Sequence, residues 1–364
     1  MPPILAERLA DRVDAVIGVD THTDTHTAAV VTPVGTVLAE LTVAATADGA
    51  AVLLAWATQQ SSGLGAGRRV WALDSARSHG VGLLRVLRAA GEDTLEAPKP
   101  ATARRRRNGK SDALDAVHAA RAVLAADHHA TPRADGDREA LRILHVCRRH
   151  YSDTRTATIN LFKSLILTAD DDLREQFRGR STLRQLQHAA TLPGDTAGHT
   201  LPGDTTGHTL HRLRRTQLSI LAEQVHTLDR MLKANLADIR ALVHTLCPAL
   251  LDQPGIGPVT AAIALTAWSH HGRVRTEAAF AALAGVSPIP ASSGRTVRHR
   301  LNRGGDRTLN AALHTIAKTR QRCHQPTKNY ITRRTTQGRT PPEITRNLKR
   351  YIARQIWRII QATP

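Results

Sequence analysis

At 364 residues the chain is long enough for two or three domains with real cores, and its net charge of +19 points to a polyanionic partner such as nucleic acid. Aromatic residues make up only 3%, which excludes a module that grips single strands mainly by base stacking and favours contact through phosphates. The three cysteines, Cys147, Cys247 and Cys323, are too scattered for a disulfide framework or a thiolate zinc site, and neither a membrane span nor a signal peptide is visible, so a soluble, cytoplasmic protein with no membrane partner is expected.

In chain order, AVIGVDTH and THTAAVVT read as β-strands, PVG as a turn, and TVLAELTVA as a third strand. DGAAVLLAWATQQ reads as a helix with Asp48 as its cap, RRVWALDSA as a strand, GVGLLRVLRAAG as a helix ended by Gly91, and EDTLEAP as a short strand. The basic run ARRRRNGK precedes SDALDAVHAARAVLAA, a further helix. Strands followed by alternating helices and strands predict an α/β domain over 13–130, its early hairpins making part of the sheet antiparallel.

A helical, Arg-rich segment is expected over 137–245, interrupted at 192–209 by the tandem repeat LPGDTAGHT and LPGDTTGHT, which reads as a surface loop expanded by duplication. Beyond it, Leu218, Leu221, Val225, Leu228, Leu232, Asn235, Ile239 and Leu242 alternate three and four residues apart. That spacing predicts a coiled-coil seam for self-association as a homo-oligomer, with Asn235 setting register; the alternative is one helix packing on its own domain. A third segment, 246–360, opens with LLDQPGIGPVTAAIALTA, two helical stretches joined as in a helix-hairpin-helix, in which Gly255 and Gly257 would offer backbone N–H groups to a DNA phosphate.

Asp20, His22, Asp24 and His26 fall on every second position, the spacing of one strand face. Four ligands on one face cannot surround a tetrahedral zinc ion, and a hairpin near Thr23-Asp24 would break the face. Asp20 is therefore read as the functional member, with the two histidines and Asp24 outside any metal cage. Asp74 ends another strand, and Asp112 and Asp115 share one helical face at i, i+3. Four carboxylates meeting there would suit Mg²⁺ or Mn²⁺ and phosphoryl transfer. Arg104, Arg105, Arg106, Arg107 and Lys110, just before the acid pair, would hold phosphates. Each acid taken alone also fits a turn or the first turn of a helix.

Near the C-terminus, Arg295, Arg298, Arg300, Arg303 and Arg307 surround a short strand-like run, and Asp306 is placed to cap the next helix. Ser292 and Ser293 precede Gly294 in this basic setting, where a hydroxyl can serve as a nucleophile if a base or metal is at hand. Without a local His-Asp pair, a plain Ser-Ser-Gly turn remains the alternative.

The blocks GVDTHTDTHTAAVV, RRRRNGKSDALDA, LREQFRG, QPGIGPVTAA, AFAALAGVSPIPASSG and RHRLNRGGDRTLNAALH, in this order, resemble the DEDD transposases of the insertion sequence 110 family over roughly residues 13 to 360. The resemblance implies a RuvC-like, ribonuclease-H-like N-terminal domain, a coiled-coil middle, and a mainly α-helical C-terminal transposase domain. It also implies an oligomeric DNA recombinase guided by a structured noncoding RNA of its own element. By the same resemblance, Asp20, Asp74, Asp112 and Asp115 are the metal-binding tetrad, and Ser293, with Ser292 second, is the nucleophile of a phosphoserine link to DNA. Asp74 stands in LDSARSHG where the family usually carries Glu in a Glu-Gly-Thr-Gly-like stretch, so its carboxylate is one methylene shorter. Two rival readings are a metal-dependent nuclease or junction resolvase that attacks with water, and a non-catalytic nucleic-acid-binding remnant.

Overall fold

A computed structural model describes residues 8–98, 111–192, 206–290, 299–300, 302 and 304–363. The chain forms two compact units, Met1–Ala134 with His270–Arg273, and Asp135–Ser269 with Val274–Pro364. The first is a mixed α/β sheet domain and the second is mostly helical.

In the first unit a short helix α1 (Leu9–Arg12) leads into β1 (Ala15–Thr21), β2 (Thr25–Val31) and β3 (Val37–Ala44). Helix α2 (Ala47–Ser61), strand β4 (Arg69–Leu73), helix α3 (Val81–Ala89), strand β5 (Thr94–Glu96) and helix α4 (Asp112–Leu124) follow. The sheet order is β3-β2-β1-β4-β5, with β2 antiparallel to β1 and β3, and β1, β4 and β5 parallel. Every residue of β1 is buried because both sheet faces are covered, as its unbroken apolar run requires. Ile17, Val19, Trp71 and Leu73 pack with Leu53 of α2 and Leu83, Leu84 and Leu87 of α3. On the other face Val16, Val70 and Ala72 meet Ala116, Val117 and Ala120 of α4. Edge strand β3 instead alternates between half-buried and exposed positions.

Two local details matter for the site. The cap of α2 is Thr46, whose hydroxyl accepts the Gly49 N–H at 3.1 Å; Asp48, expected in that role, is the second residue of the first turn, where its charge meets the helix dipole. Gly18 allows α4 to lie almost on the backbone of β1: a Cβ there would stand 2.0 Å from the Ala116 carbonyl oxygen. No side chain larger than hydrogen fits between this helix and this strand.

The second unit is built on α5 (Asp137–Leu167), α6 (Asp171–Phe177), α7 (Thr182–Ala190) and α8 (Thr206–Leu246). A 3-10 turn at Pro248–Leu250 leads to α9 (Pro258–Trp268) and α10 (Glu277–Leu283). The strand pair β6 (Ile289–Pro290) and β7 (His299–Arg300) precedes α11 (Arg307–Cys323), α12 (Gln325–Thr336) and α13 (Pro341–Ala362). The last four residues of the tandem repeat lie in the first turn of α8, and 193–205 lie outside the described residues.

The heptad face of α8 packs against helices of the same chain, α5 along with α6 and α7. Leu218, Leu221, Val225, Asn235 and Ile239 are buried, and Asn235 gives its amide N–H to the Leu144 carbonyl at 3.0 Å while Arg148 donates to its Oδ1 at 3.5 Å. Arg155 and Asp229 close the pair with a 2.5 Å ion pair. The buried part of the stripe is thus packed within the chain, against α5 together with α6 and α7, and Asn235 is bonded to α5 rather than held for a second copy. Nor does the core break near 246: Leu141 of α5 and Ile239 and Val243 of α8 share one cluster with Leu265 and Trp268 of α9, Leu313 and Ile316 of α11, and Ile352 and Ile356 of α13. Helix α9, apolar on all sides, is the one the others surround.

Candidate metal centre

Asp20 stands at the penultimate position of β1, and period two places it on the same sheet face as Val16 and Gly18, the face that α4 covers. Helix α4 begins at Asp112, capped by the Ser111 hydroxyl, which accepts the Leu114 N–H at 3.3 Å. Its first turn therefore carries Asp112 and Asp115 to the end of β1 that holds Asp20. The approach that Gly18 permits sets how close they come.

His22 joins them. Its Nε2 lies 3.0 Å from Asp20 Oδ2 and 3.6 Å from Asp112 Oδ1, and donor atoms of the three residues all lie within 4.8 Å of one another. The sequence pattern alone places His22 outside any metal cage, whereas the structure brings its imidazole to the two acids. Its backbone is fixed where the hairpin closes, its N–H donating to the Thr25 carbonyl at 3.0 Å, and two residues beyond Asp20 it returns to the α4 face. The signal in the sequence is the Asp20-His22 alternation, two donors on one side of the hairpin that α4 completes with Asp112.

Asp20 is only 6% exposed. Burial pushes its carboxyl above the usual carboxylate range, opposed by His22, while the charges of Asp115 and Asp112 push it further up. A buried oxygen donor crowded by two other acids is an arrangement that a divalent cation relieves. Hard carboxylate oxygens suit Mg²⁺ or Mn²⁺, so the donor set present here fits a divalent ion of that kind.

Asp74 follows β4 directly, and its N–H donates to the Val19 carbonyl at 3.0 Å, continuing the parallel ladder beside Asp20. Its carboxylate lies outside the group formed by Asp20, His22 and Asp112, with the Ser75 hydroxyl donating to it at 3.5 Å. Ser75 has φ 51°, a left-handed conformation unusual outside glycine, and the turn it makes follows Asp74 at once. The Thr21 hydroxyl ties that turn back to β1 by donating to the Asp74 carbonyl at 2.9 Å. Asp115 lies 3.9 Å from His118 and acts on Asp20 through its charge.

Elsewhere, the two glycines expected at a DNA phosphate lie in the turn that leads into α9. Gly255 has φ 78°, and a Cβ there would meet the Ile316 carbonyl and the Arg320 side chain of α11 at 3.2–3.3 Å. Arg320 in turn donates to the Pro254 carbonyl at 2.7 Å. The glycine is thus required by the turn and by its packing on α11, and a 3-10 turn stands where the first arm of a hairpin of helices was expected. The Gly257 N–H donates to the Thr260 hydroxyl at 3.0 Å, an internal cap of α9. Arg300 on β7 and Arg307 at the start of α11 are exposed, and Asp306 caps α11 by accepting from Thr308 and Leu309. Arg104, Arg105, Arg106, Arg107, Lys110, Ser292, Ser293, Arg295, Arg298 and Arg303 lie outside the described residues. Among those described, no helix is long and apolar enough to cross a membrane.

Two family models match the chain. Residues 17–169, which span all four acids, match a family model described as a transposase, of the DEDD type of IS110. Residues 247–332, which span the Pro-Gly-Ile-Gly-Pro turn, the serine pair and α11, match the model described as transposase IS116/IS110/IS902 family. Together the two matches span well over half of the chain. No curated protein matches it.

Proposed function

The chain is a transposase of the IS116/IS110/IS902 family, and from that premise we propose that it cuts and rejoins DNA by a divalent-metal-dependent reaction in which Ser293 is the attacking group. The observation that carries the metal half is the meeting of Asp20, Asp112 and His22, from a strand end and a helix start 92 positions apart, with Asp115 acting on the same buried carboxylate. Strand order and helix placement support a ribonuclease-H-like reading of the first unit, a fold in which acids gather at the end of the central strand.

Asp20 and Asp112 would hold the ion, with Asp115 and Asp74 as the remaining acids of the tetrad. Mg²⁺ or Mn²⁺ bound there would polarise the scissile phosphate and stabilise the charge that develops on it. The Ser293 oxygen forms a new bond to phosphorus as one bridging P–O bond of the strand breaks, the serine proton leaves to a base, and the departing deoxyribose oxygen takes up a proton. Attack by a different deoxyribose hydroxyl then reverses the chemistry on a new strand and frees the serine, so no outside energy source is needed. Arg295, Arg298, Arg300, Arg303 and Arg307 near the serine, and Arg104 to Arg107 with Lys110 near the acids, neutralise the DNA backbone. In keeping with the resemblance drawn from the sequence, a noncoding RNA of the same element selects the target, and the active form is a homo-oligomer.

Ser293→Ala is the test. Recombination and any covalent protein–DNA adduct are expected to vanish while DNA binding persists; if Ser292→Ala alone has that effect, the neighbouring serine is the nucleophile. Strand cleavage that survives in both variants, with no adduct in the native protein, would replace this reading with a nuclease that attacks with water.

A further inference from the structure

The role of His22 goes beyond the acid tetrad. We propose that His22 is a nitrogen donor to the divalent ion held by Asp20 and Asp112, and that it biases the centre toward Mn²⁺ over Mg²⁺. This rests on the metal-dependent reading given above.

Three observations lead there. Two donors that share one ion at about 2.1 Å stand about 3–4 Å apart, depending on whether they are adjacent or opposite. The imidazole nitrogen is 3.0 Å from one carboxylate oxygen and 3.6 Å from the other, which matches that spacing. Secondly, residue 22 is held: its N–H closes the β1–β2 hairpin on Thr25, so the side chain springs from a fixed backbone. Thirdly, the three donors come from three separate places in the chain, the end of β1, the β1–β2 turn and the first turn of α4, so no single element has to supply the whole set. An all-oxygen set accommodates Mg²⁺ well, whereas imidazole nitrogen is a better donor to Mn²⁺ and later transition metals.

A competing role is chemically distinct. If the imidazole only balances two carboxylates, it must leave when a cation enters, and removing it would leave metal affinity unchanged or increase it. A ligand has the opposite effect. The two roles therefore predict different signs for one substitution, and a side chain 44% exposed can be truncated without opening a core.

The experiment uses the full chain, native and as His22→Ala and Asp20→Asn, titrated with Mn²⁺ and with Mg²⁺ by calorimetry, and with bound Mn²⁺ examined by pulsed electron paramagnetic resonance. Native protein is expected to show a directly bonded nitrogen coupling to Mn²⁺ that His22→Ala lacks. His22→Ala is expected to weaken Mn²⁺ binding roughly tenfold or more, the scale on which even outer partners of metal sites act, and to weaken Mg²⁺ binding less. Absence of the nitrogen coupling in native protein overturns the proposal. So does its persistence in His22→Ala, or Mn²⁺ affinity that is unchanged or tighter in that variant. Asp20→Asn separates the two levels: if it binds both ions as native protein does, the metal reading itself fails, whereas loss of both ions with His22→Ala unaffected removes only the histidine.

Discussion

Asp20 is the most buried of the four acids, and its surroundings make it costly to the fold while no cation is present. A carboxylate 6% exposed, beside Asp112 and Asp115, is charged only against desolvation and repulsion. Asp20→Asn should therefore raise the thermal midpoint of the metal-free protein, by a few degrees for each ~1 kcal/mol relieved. Adding Mn²⁺ should raise the midpoint of the native chain and leave the variant unmoved. Thermal melts with chelator and with Mn²⁺ check both, and a variant that melts lower than native without metal would show that Asp20 is a structural group. The acids themselves were legible from their neighbours in sequence: Asp20 at the end of an apolar run, and Asp112 and Asp115 three apart behind a capping serine. His22 was not, because its meaning depends on Asp112, which lies 90 positions away and reaches it only when α4 docks.

At the scale of elements, the docking of α4 on β1 determines the site geometry, and Gly18 determines the docking. Gly18→Ala places a methyl group where the Ala116 carbonyl and the Ala120 N–H now sit, at 2.0 and 2.8 Å. The helix must shift outward, at a cost of about 1–3 kcal/mol for such overpacking, and its first turn moves with it. The expected result is a folded but destabilised protein with much weaker divalent-ion binding, read from denaturant unfolding and calorimetry on the same sample. Native metal affinity in a destabilised variant would show that the acid positions do not depend on this contact. The α5–α8 pair illustrates the same limit of sequence reading. Its heptads announced an apolar stripe correctly, yet periodicity records only that a face is apolar and says nothing of what covers it. Asn235, expected to set register between copies, instead spends its amide on Leu144 and Arg148 within the chain.

For the whole molecule the governing quantity is charge. A net +19, together with the matches to transposases, makes DNA the substrate and counterion release a major part of its affinity. Contact with about six phosphates would cost roughly a thousandfold in affinity between about 50 and 200 mM salt. Fluorescence anisotropy with labelled duplexes of unrelated sequence should show this slope with little difference among them in the absence of RNA. A shallow slope would mean that the basic runs do not face the DNA.

Composition and pattern alone determined that the partner is a polyanion, that an α/β unit precedes a helical one, and which carboxylates occupy strand ends and a helix start. These are properties of a chain segment, because side-chain period and net charge need no knowledge of distant neighbours. Only the tertiary structure decided that His22 stands between Asp20 and Asp112, that the Asp74 carboxylate lies apart from that group, that Gly255 serves the packing of α11, and that the heptad face of α8 is filled from within. Each of those depends on which surfaces meet, and that depends on packing between segments far apart in sequence. VDTHTD therefore becomes part of a candidate metal centre only once α4 has been laid across Gly18.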